Sequence, residues 1–179
     1  MGYLQTIKIA ILVFPLVAFL FTIPFILSQY HRYGSINKLR VLIIYSFILY
    51  LMIIYFLVIL PLPSRQDVLL MPDKKPNFQL FQFITDIVKE SSFRYYDVST
   101  YLKALKEPCI YTVIFNIFMT VPFGMYLHYY FKCSRGKTVS YSFLLSLFFE
   151  LTQLTGLYFI YPKAYRLFDV DDLLMNTLG

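Results

Sequence analysis

The chain has 179 residues, of which 59% are hydrophobic, 20% aromatic and only 15% charged. Soluble domains carry about 25% charged residues, and a globule of this size could not bury so many apolar side chains and keep a polar surface. The composition therefore excludes an ordinary soluble enzyme, a disordered chain and a disulfide-stapled secreted module. The net charge of +6 indicates basic loops beside anionic lipid and not nucleic-acid binding, since no motif for it is visible.

Four segments are long and apolar enough to be predicted as membrane-spanning helices, which need about 20 residues each. The first contains two prolines, which neighbouring helices can accommodate in a membrane. It is also too long for a signal peptide and lacks the cleavage motif. The sequence therefore predicts an all-α fold, a polytopic transmembrane helical bundle that forms a single membrane domain over 1–179. The predicted spans are 9–28, 41–60, 108–131 and 138–162.

The charges of the loops predict the orientation of these spans. Loops 31–40 and 132–137 contain only basic charged residues, whereas the long loop 61–107 mixes both signs. Because cytoplasmic loops are enriched in Lys and Arg, both short loops are predicted to be cytoplasmic, with the N-terminus and loop 61–107 outside. The basic residues are Arg32, Lys38 and Arg40 in the first loop and Lys132, Arg135 and Lys137 in the second.

The long loop is predicted to contain a short external helix. Prolines keep its first half irregular, but Phe83, Ile84, Ile87 and Val88 recur at helical spacing. Such an amphipathic helix lies either in the outer membrane interface or against the bundle, and the pattern favours neither.

A polar stripe runs along the fourth predicted span. Ser142, Ser146, Glu150 and Gln153 follow at steps of four, four and three residues, so they share one face of a helix. A carboxylate inside a membrane segment costs at least about 2.5 kcal/mol. A neutral glutamine would form similar hydrogen bonds at lower cost, so the stripe predicts a functional role for Glu150.

The third predicted span carries a matching stripe with a period of four residues, formed by Thr112, Asn116, Thr120 and Gly124. The two stripes are predicted to face each other, with Asn116 donating a hydrogen bond to Glu150. The alternative is that these polar groups serve only to join the helices by interhelical hydrogen bonds.

The polar segment 163–179 contains a second cluster. Asp169 is predicted to cap a helix, on which Asp169, Asp172 and Asn176 share a face, with Arg166 within reach of a carboxylate. A capped helix with a local ion pair would explain these residues alone. Their position after the stripe that carries Glu150 instead predicts a polar site that opens outward.

In chain order, these residues resemble the pattern of the VanZ-like family over about 108–179. That pattern is an Asn followed by Pro-Phe-Gly, then Ser with Glu-x-x-Gln, and finally Arg, Asp, Asp, Asn and Gly. The corresponding residues are Asn116, Pro122, Phe123 and Gly124, then Ser146, Glu150 and Gln153, and finally Arg166, Asp169, Asp172, Asn176 and Gly179. Upstream, this chain departs from the pattern, because Leu80 stands where the family often has a proline in its external loop.

The resemblance implies that the polar members of this set are functional and that Pro122, Phe123, Gly124, Ser146 and Gly179 are structural. It also implies a further membrane helix after Gly179, so we expect a longer native protein with at least five spans. VanZ-like proteins are bacterial membrane proteins associated with reduced susceptibility to teicoplanin and related lipoglycopeptides. The implied role is therefore an accessory resistance protein that binds a drug or a cell-surface lipid, such as a cell-wall lipid precursor, at its outward polar site.

Two alternatives stay open. One is a membrane enzyme acting on a lipid-linked substrate with Glu150 as general base, which is less favoured because a few carboxylates without a known motif are thin support. The other is a non-catalytic subunit or scaffold of a membrane complex. No cofactor and no metal are predicted. Asp169 and Asp172 are only weak candidates for metal ligands. The sequence does not predict an oligomeric state.

Overall fold

The structure is a computed structural model that describes residues 3–179, apart from the side chains of Tyr3 and Arg32. Met1 and Gly2, and the charged group of Arg32 on which part of the orientation depends, lie outside the described residues. The named elements are helical, which confirms the all-α class. The helices are α1 (Tyr3–Tyr33), α2 (Lys38–Ile59), α3 (Arg65–Leu70), α4 (Gln82–Glu90), α5 (Tyr101–Ala104), α6 (Pro108–Met125), α7 (Arg135–Leu154), α8 (Gly156–Phe159) and α9 (Val170–Leu178).

The chain separates into two compact units, Met1–Leu62 and Pro63–Gly179. In the first unit, α1 packs against α2, and the Thr22 and Tyr45 hydroxyls lie 2.5 Å apart between the two helices. The helices continue further than predicted, so the loop 31–40 is reduced to the four residues 34–37. Asn37 caps α2 by accepting a hydrogen bond from the Leu39 amide, which explains why the helix begins there.

Three helical stretches among the described residues are long and apolar enough to cross a membrane. They agree with the first three predicted spans, and α6 reaches the predicted end because a turn of π-helix, Tyr126–Tyr130, extends it. The bounds of the three stretches are Leu4–His31, Lys38–Ile59 and Pro108–Tyr130. The chain is thus a multi-pass membrane protein by its helices.

The fourth predicted span, 138–162, is wrong as a continuous helix. The helix α7 ends at Leu154, and the chain then makes a left-handed turn with φ of 57°, 56° and 68° at Leu157, Tyr158 and Phe159. Each such non-glycine residue costs about 1–2 kcal/mol, so the turn needs support, and the Thr155 side chain supplies it by accepting from the Tyr158 amide. Because α7 also carries a polar stripe, it does not qualify as a span by apolarity, and a count of four is not confirmed.

The core of the second unit is formed by α6, α7 and α9. The short helix α9 packs against both longer helices, and α4 packs against α6. Buried apolar side chains from all three helices fill this core, among them Phe123, Phe149 and Met175. The packing of α9 between two partners is what positions the polar residues of all three helices relative to one another.

Candidate functional site

Asp169 begins α9, as predicted, and both of its carboxylate oxygens are used. One oxygen accepts from the Asp171 amide at 2.8 Å and caps the helix, and the other accepts from the Asn77 side chain at 3.1 Å. The backbones of these residues are also joined, because the Asn77 amide donates to the Phe168 carbonyl and the Val170 amide donates to that of Asn77. The loop before α4 is therefore fixed to the start of α9.

Asp171, for which the sequence predicted no role, is buried and fixes α4 itself. Its two carboxylate oxygens accept hydrogen bonds from the backbone amides of Phe81 at 2.7 Å and Phe83 at 2.9 Å. These amides lie at the N-terminus of α4, where backbone donors have no partner within the helix. No local pattern could have revealed this contact, because the carboxylate and the amides are 88 to 90 residues apart in the chain.

Glu150 is only 3% exposed, and its carboxylate faces the start of α9. One oxygen accepts a hydrogen bond from the Asp169 amide at 3.1 Å. The predicted hydrogen bond from Asn116 to Glu150 is wrong, because the Asn116 side chain donates instead to Asp172 at 2.6 Å. The reason is that α9 packs against both α6 and α7. The polar stripes of α6 and α7 therefore find hydrogen-bond partners on α9 and not on each other.

The polar stripe of α7 is buried along its length, as its spacing indicated. Ser142, Ser146, Glu150 and Gln153 are all less than a tenth exposed, and Asn176 of α9 is equally buried. The hydroxyl of Ser146 and the side-chain oxygen of Asn176 have no hydrogen-bond partner among the described residues. Gln153 and Asn176 therefore belong to the buried interior beside the site.

The charges around Glu150 are unbalanced. Asp169 and Asp172 lie close enough for their charges to act on Glu150, and the positive charge of the half-buried Arg166 offsets part of that repulsion. The charge of Arg166 acts on Glu150 and Asp172 together, and its role in a binding site stays a prediction.

A cleft of about 270 Å³ lies between α4, α6 and α9. Its titratable lining consists of carboxylates and one thiol, and within the described part of the chain no Lys, Arg or His lines it. Two of its carboxylates, Asp169 and Asp172, were predicted site residues, whereas those from α4 were not. The acidic residues are Asp86, Glu90, Asp169, Asp171 and Asp172, and the thiol is that of Cys109. We call this feature the acidic cleft.

Two other predicted residues, Asn116 and Glu150, contact residues of the acidic cleft without lining it. Asn116 reaches it through Asp172, and Glu150 reaches it through the Asp169 amide. These contacts hold the two cleft carboxylates in place, which is how buried polar groups preorganise a binding site. In residues 3–179, no three His, Cys, Asp or Glu side chains are grouped so that they could hold a metal ion.

Of the residues predicted to be structural, Ser146 lies in the stripe of α7, and the other four lie on α6 or at the end of α9. Phe123 is buried, and the last residue of the chain, Gly179, is so close to α6 that an added Cβ would lie 2.0 Å from the Ile117 carbonyl oxygen. Gly124 also faces Gly179, but more loosely. Pro122 lies in the last turn before the π-helical extension. The crossing of α6 and α9 holds the end of α9 against α6.

Among known families, the family model described as VanZ/LLP1 matches residues 47–179, which is more than half of the chain. No curated protein and no solved structure matches the chain. The matched range contains α6, α7, α9 and every residue that lines the acidic cleft.

Proposed function

We propose that this chain, which belongs to the VanZ/LLP1 family, contributes to resistance against teicoplanin and related lipoglycopeptides by binding a drug or a cell-surface lipid in the acidic cleft. The observation that supports this proposal is the cleft itself, which combines a volume of about 270 Å³ with carboxylates from two helices. Site residues that were identified from the family pattern lie in it or directly behind it.

The lining of the acidic cleft favours a ligand that carries a positive group. Carboxylates crowded together repel one another, and an ammonium group placed among them relieves the repulsion and forms charge-assisted hydrogen bonds. Asp169 and Asp172 are already oriented by Asn77 and Asn116, so the protein loses little conformational freedom on binding. A lipid or drug with an amino group therefore fits the site better than an anionic one.

The location of the acidic cleft depends on the membrane topology, for which we adopt a fourth membrane helix formed by α7. Its buried face is polar and is covered by the rest of the unit, whereas its exposed face is apolar, as lipid contact requires. The exposed residues include Tyr141, Phe143, Leu144, Phe148 and Leu151. With the basic loop 132–137 in the cytoplasm, the cleft opens at the external side, where cell-wall precursors and lipoglycopeptides occur.

The proposal is tested by measuring teicoplanin susceptibility in an isogenic bacterial pair with and without the gene. The variants Asp172→Asn and Glu150→Gln are expressed at the level of the wild type, with Asp73→Asn as a matched control. Asp73 is an exposed carboxylate that forms an ion pair with Lys163 and does not line the acidic cleft, so the same chemical change there leaves the cleft intact.

We expect the gene to raise resistance, the two site variants to lose that increase and Asp73→Asn to keep it. Unchanged susceptibility on introducing the gene would contradict the resistance role. Equal teicoplanin resistance of all three variants would contradict the role of the acidic cleft.

A second candidate function is enzymatic conversion of a lipid-linked substrate. It is favoured by the presence of the Cys109 thiol in the same cleft as Asp169 and Asp172, which places a nucleophile near acid and base groups. Glu150, the base suggested by the sequence, does not line the cleft, so the base would be one of the two aspartates. The binding and enzymatic functions are distinguished by comparing the lipids extracted from the same strains. An enzyme changes the lipid composition, and Asp172→Asn abolishes that change, whereas a binding protein leaves the composition as it is.

A further inference from the structure

The helix α4 is apolar on two sides. Phe83 lines the acidic cleft beside α6, and Ile87 is half-buried on the same side. On the side that faces away from the protein, Phe81, Ile84 and Val88 are 55%, 50% and 71% exposed. The apolar residues predicted for one face are thus divided, and packing against α6 accounts for only half of them. We call the outward set, Phe81, Ile84 and Val88, the outer arc.

The position of α4 relative to α6 indicates what covers the outer arc. The acidic cleft is bordered by α4 on one side and on the other by Pro108, Cys109, Thr112 and Val113. These four residues belong to the first turns of the stretch Pro108–Tyr130, which is long and apolar enough to cross a membrane. Because an α-helix rises 1.5 Å per residue, α4 lies within about 8 Å of the level at which that stretch begins. This is the level of the boundary between lipid and water.

The polar residues of the exposed side complete the pattern. Thr85 and Lys89 are also exposed, and they lie at the opposite edge of that side. At about 100° per residue, Lys89 is turned about 140° away from Ile84. A helix with an apolar edge and a basic polar edge on its open side is the form that lies in the plane of a membrane interface.

We propose that the outer arc is inserted into the lipid interface of the membrane that α6 enters, with Lys89 directed toward the headgroups and water. The acidic cleft then lies between a helix embedded in the interface and a helix that spans the membrane, so a lipid reaches it sideways from the bilayer. The insertion of the outer arc rests on the packing and exposure of α4 and is independent of the function proposed above, whereas the sideways entry of a lipid rests on that function.

The experiment uses the absence of tryptophan from the chain. Single variants Ile84→Trp, Val88→Trp and, as a control on the same helix, Lys89→Trp each place one tryptophan at a known angle around α4. The full chain is reconstituted into phosphatidylcholine vesicles, with and without bromine on the acyl chains, and tryptophan emission is measured. Iodide in the buffer reports contact with water, and monodisperse elution in detergent before reconstitution shows that each variant is folded.

We expect brominated lipid to quench the tryptophans at 84 and 88 and iodide to quench them little, with the reverse preference at 89. Iodide quenching of 84 and 88 equal to that of 89 would overturn the proposal, because the outer arc would then face water. Quenching of 84 and 88 by neither agent would also overturn it, because protein would cover the arc. Bromine quenching that appears only when protein is diluted in excess lipid would show a second copy as the occupant and would equally overturn it.

Discussion

The carboxylate of Asp171 connects two helices that are distant in the sequence. It accepts from the amides of Phe81 and Phe83 and is itself buried. Hydrogen bonds to a charged group contribute about 1.5–3 kcal/mol each, and a buried donor without a partner loses its full desolvation energy. Together with the Asn77 contacts to the start of α9, this side chain fixes the position of α4 and with it one wall of the acidic cleft.

We expect Asp171→Asn to lower the free energy of unfolding by about 2 kcal/mol, because the amide side chain offers one acceptor where two backbone amides need one each. Thermal unfolding in detergent, compared with that of Asp73→Asn, checks this. The control removes an exposed carboxylate whose ion pair with Lys163 contributes about 0–1 kcal/mol. Similar unfolding temperatures for the two variants would show that Asp171 does not fix α4.

Gly179 and Gly124 provide a matched pair at the crossing of α9 and α6. An alanine Cβ at Gly179 would lie 2.0 Å from the Ile117 carbonyl oxygen and 2.2 Å from the Thr120 hydroxyl, whereas at Gly124 the nearest atom is at 3.5 Å. We expect Gly179→Ala to destabilise the protein by about 1–3 kcal/mol, as overpacking does. Gly124→Ala should be neutral or stabilising, since alanine favours helix. Equal unfolding temperatures for the two variants would contradict the close approach of the helices.

At the scale of elements, the start of α6 is fixed to the preceding loop through Glu107. Its carboxylate accepts hydrogen bonds from the Ser92 hydroxyl at 2.5 Å and the Ser92 amide at 2.7 Å. These hydrogen bonds hold the pKa of Glu107 below its ordinary value of 4.5, and the bond from the Ser92 hydroxyl has the larger effect. A contact of this kind favours the ionised form and makes the contribution to stability depend on pH.

Since the folded-state pKa of Glu107 is the lower one, its stabilising contribution is complete above pH 4.5 and is lost as the pH falls through the folded value. We expect Ser92→Ala to lower the unfolding temperature at neutral pH and the difference from wild type to shrink as the buffer is acidified. Unfolding curves of both proteins over this range test it. A difference that stays constant with pH would show that the hydroxyl acts without the carboxylate.

At the scale of the whole molecule, the features that could be predicted from sequence are the local ones. The apolar runs predicted the first three spans, and the position of Asp169 directly before a helical pattern predicted that it caps α9. The contacts that build the acidic cleft join distant segments, as Asn77 joins Asp169 and Asp171 joins α4. The partner of Asn116 was misassigned for the same reason, since nothing local shows that α9 packs against α6 beside Asn116.

The orientation of α6 decides on which side of the membrane the acidic cleft opens. The loop before α6 contains Tyr96, which is 95% exposed, and the loop after it contains Cys133. The 23 residues of Pro108–Tyr130 are enough to separate these positions by the thickness of a bilayer. From the positive-inside rule we predict that Cys133, beside Lys132 and Arg135, is cytoplasmic and that Tyr96 is external.

This orientation predicts the labelling of intact cells by a maleimide that cannot cross membranes. A Tyr96→Cys variant without the native cysteines should be labelled, whereas Cys133, left alone by Cys109→Ala, should be labelled only after the cells are permeabilised. The permeabilised sample also controls for the reactivity of the half-buried Cys133 thiol. Labelling of both positions from outside would mean that α6 does not cross the membrane. The reversed pattern would place the acidic cleft in the cytoplasm, where it could not meet a drug that acts outside the cell.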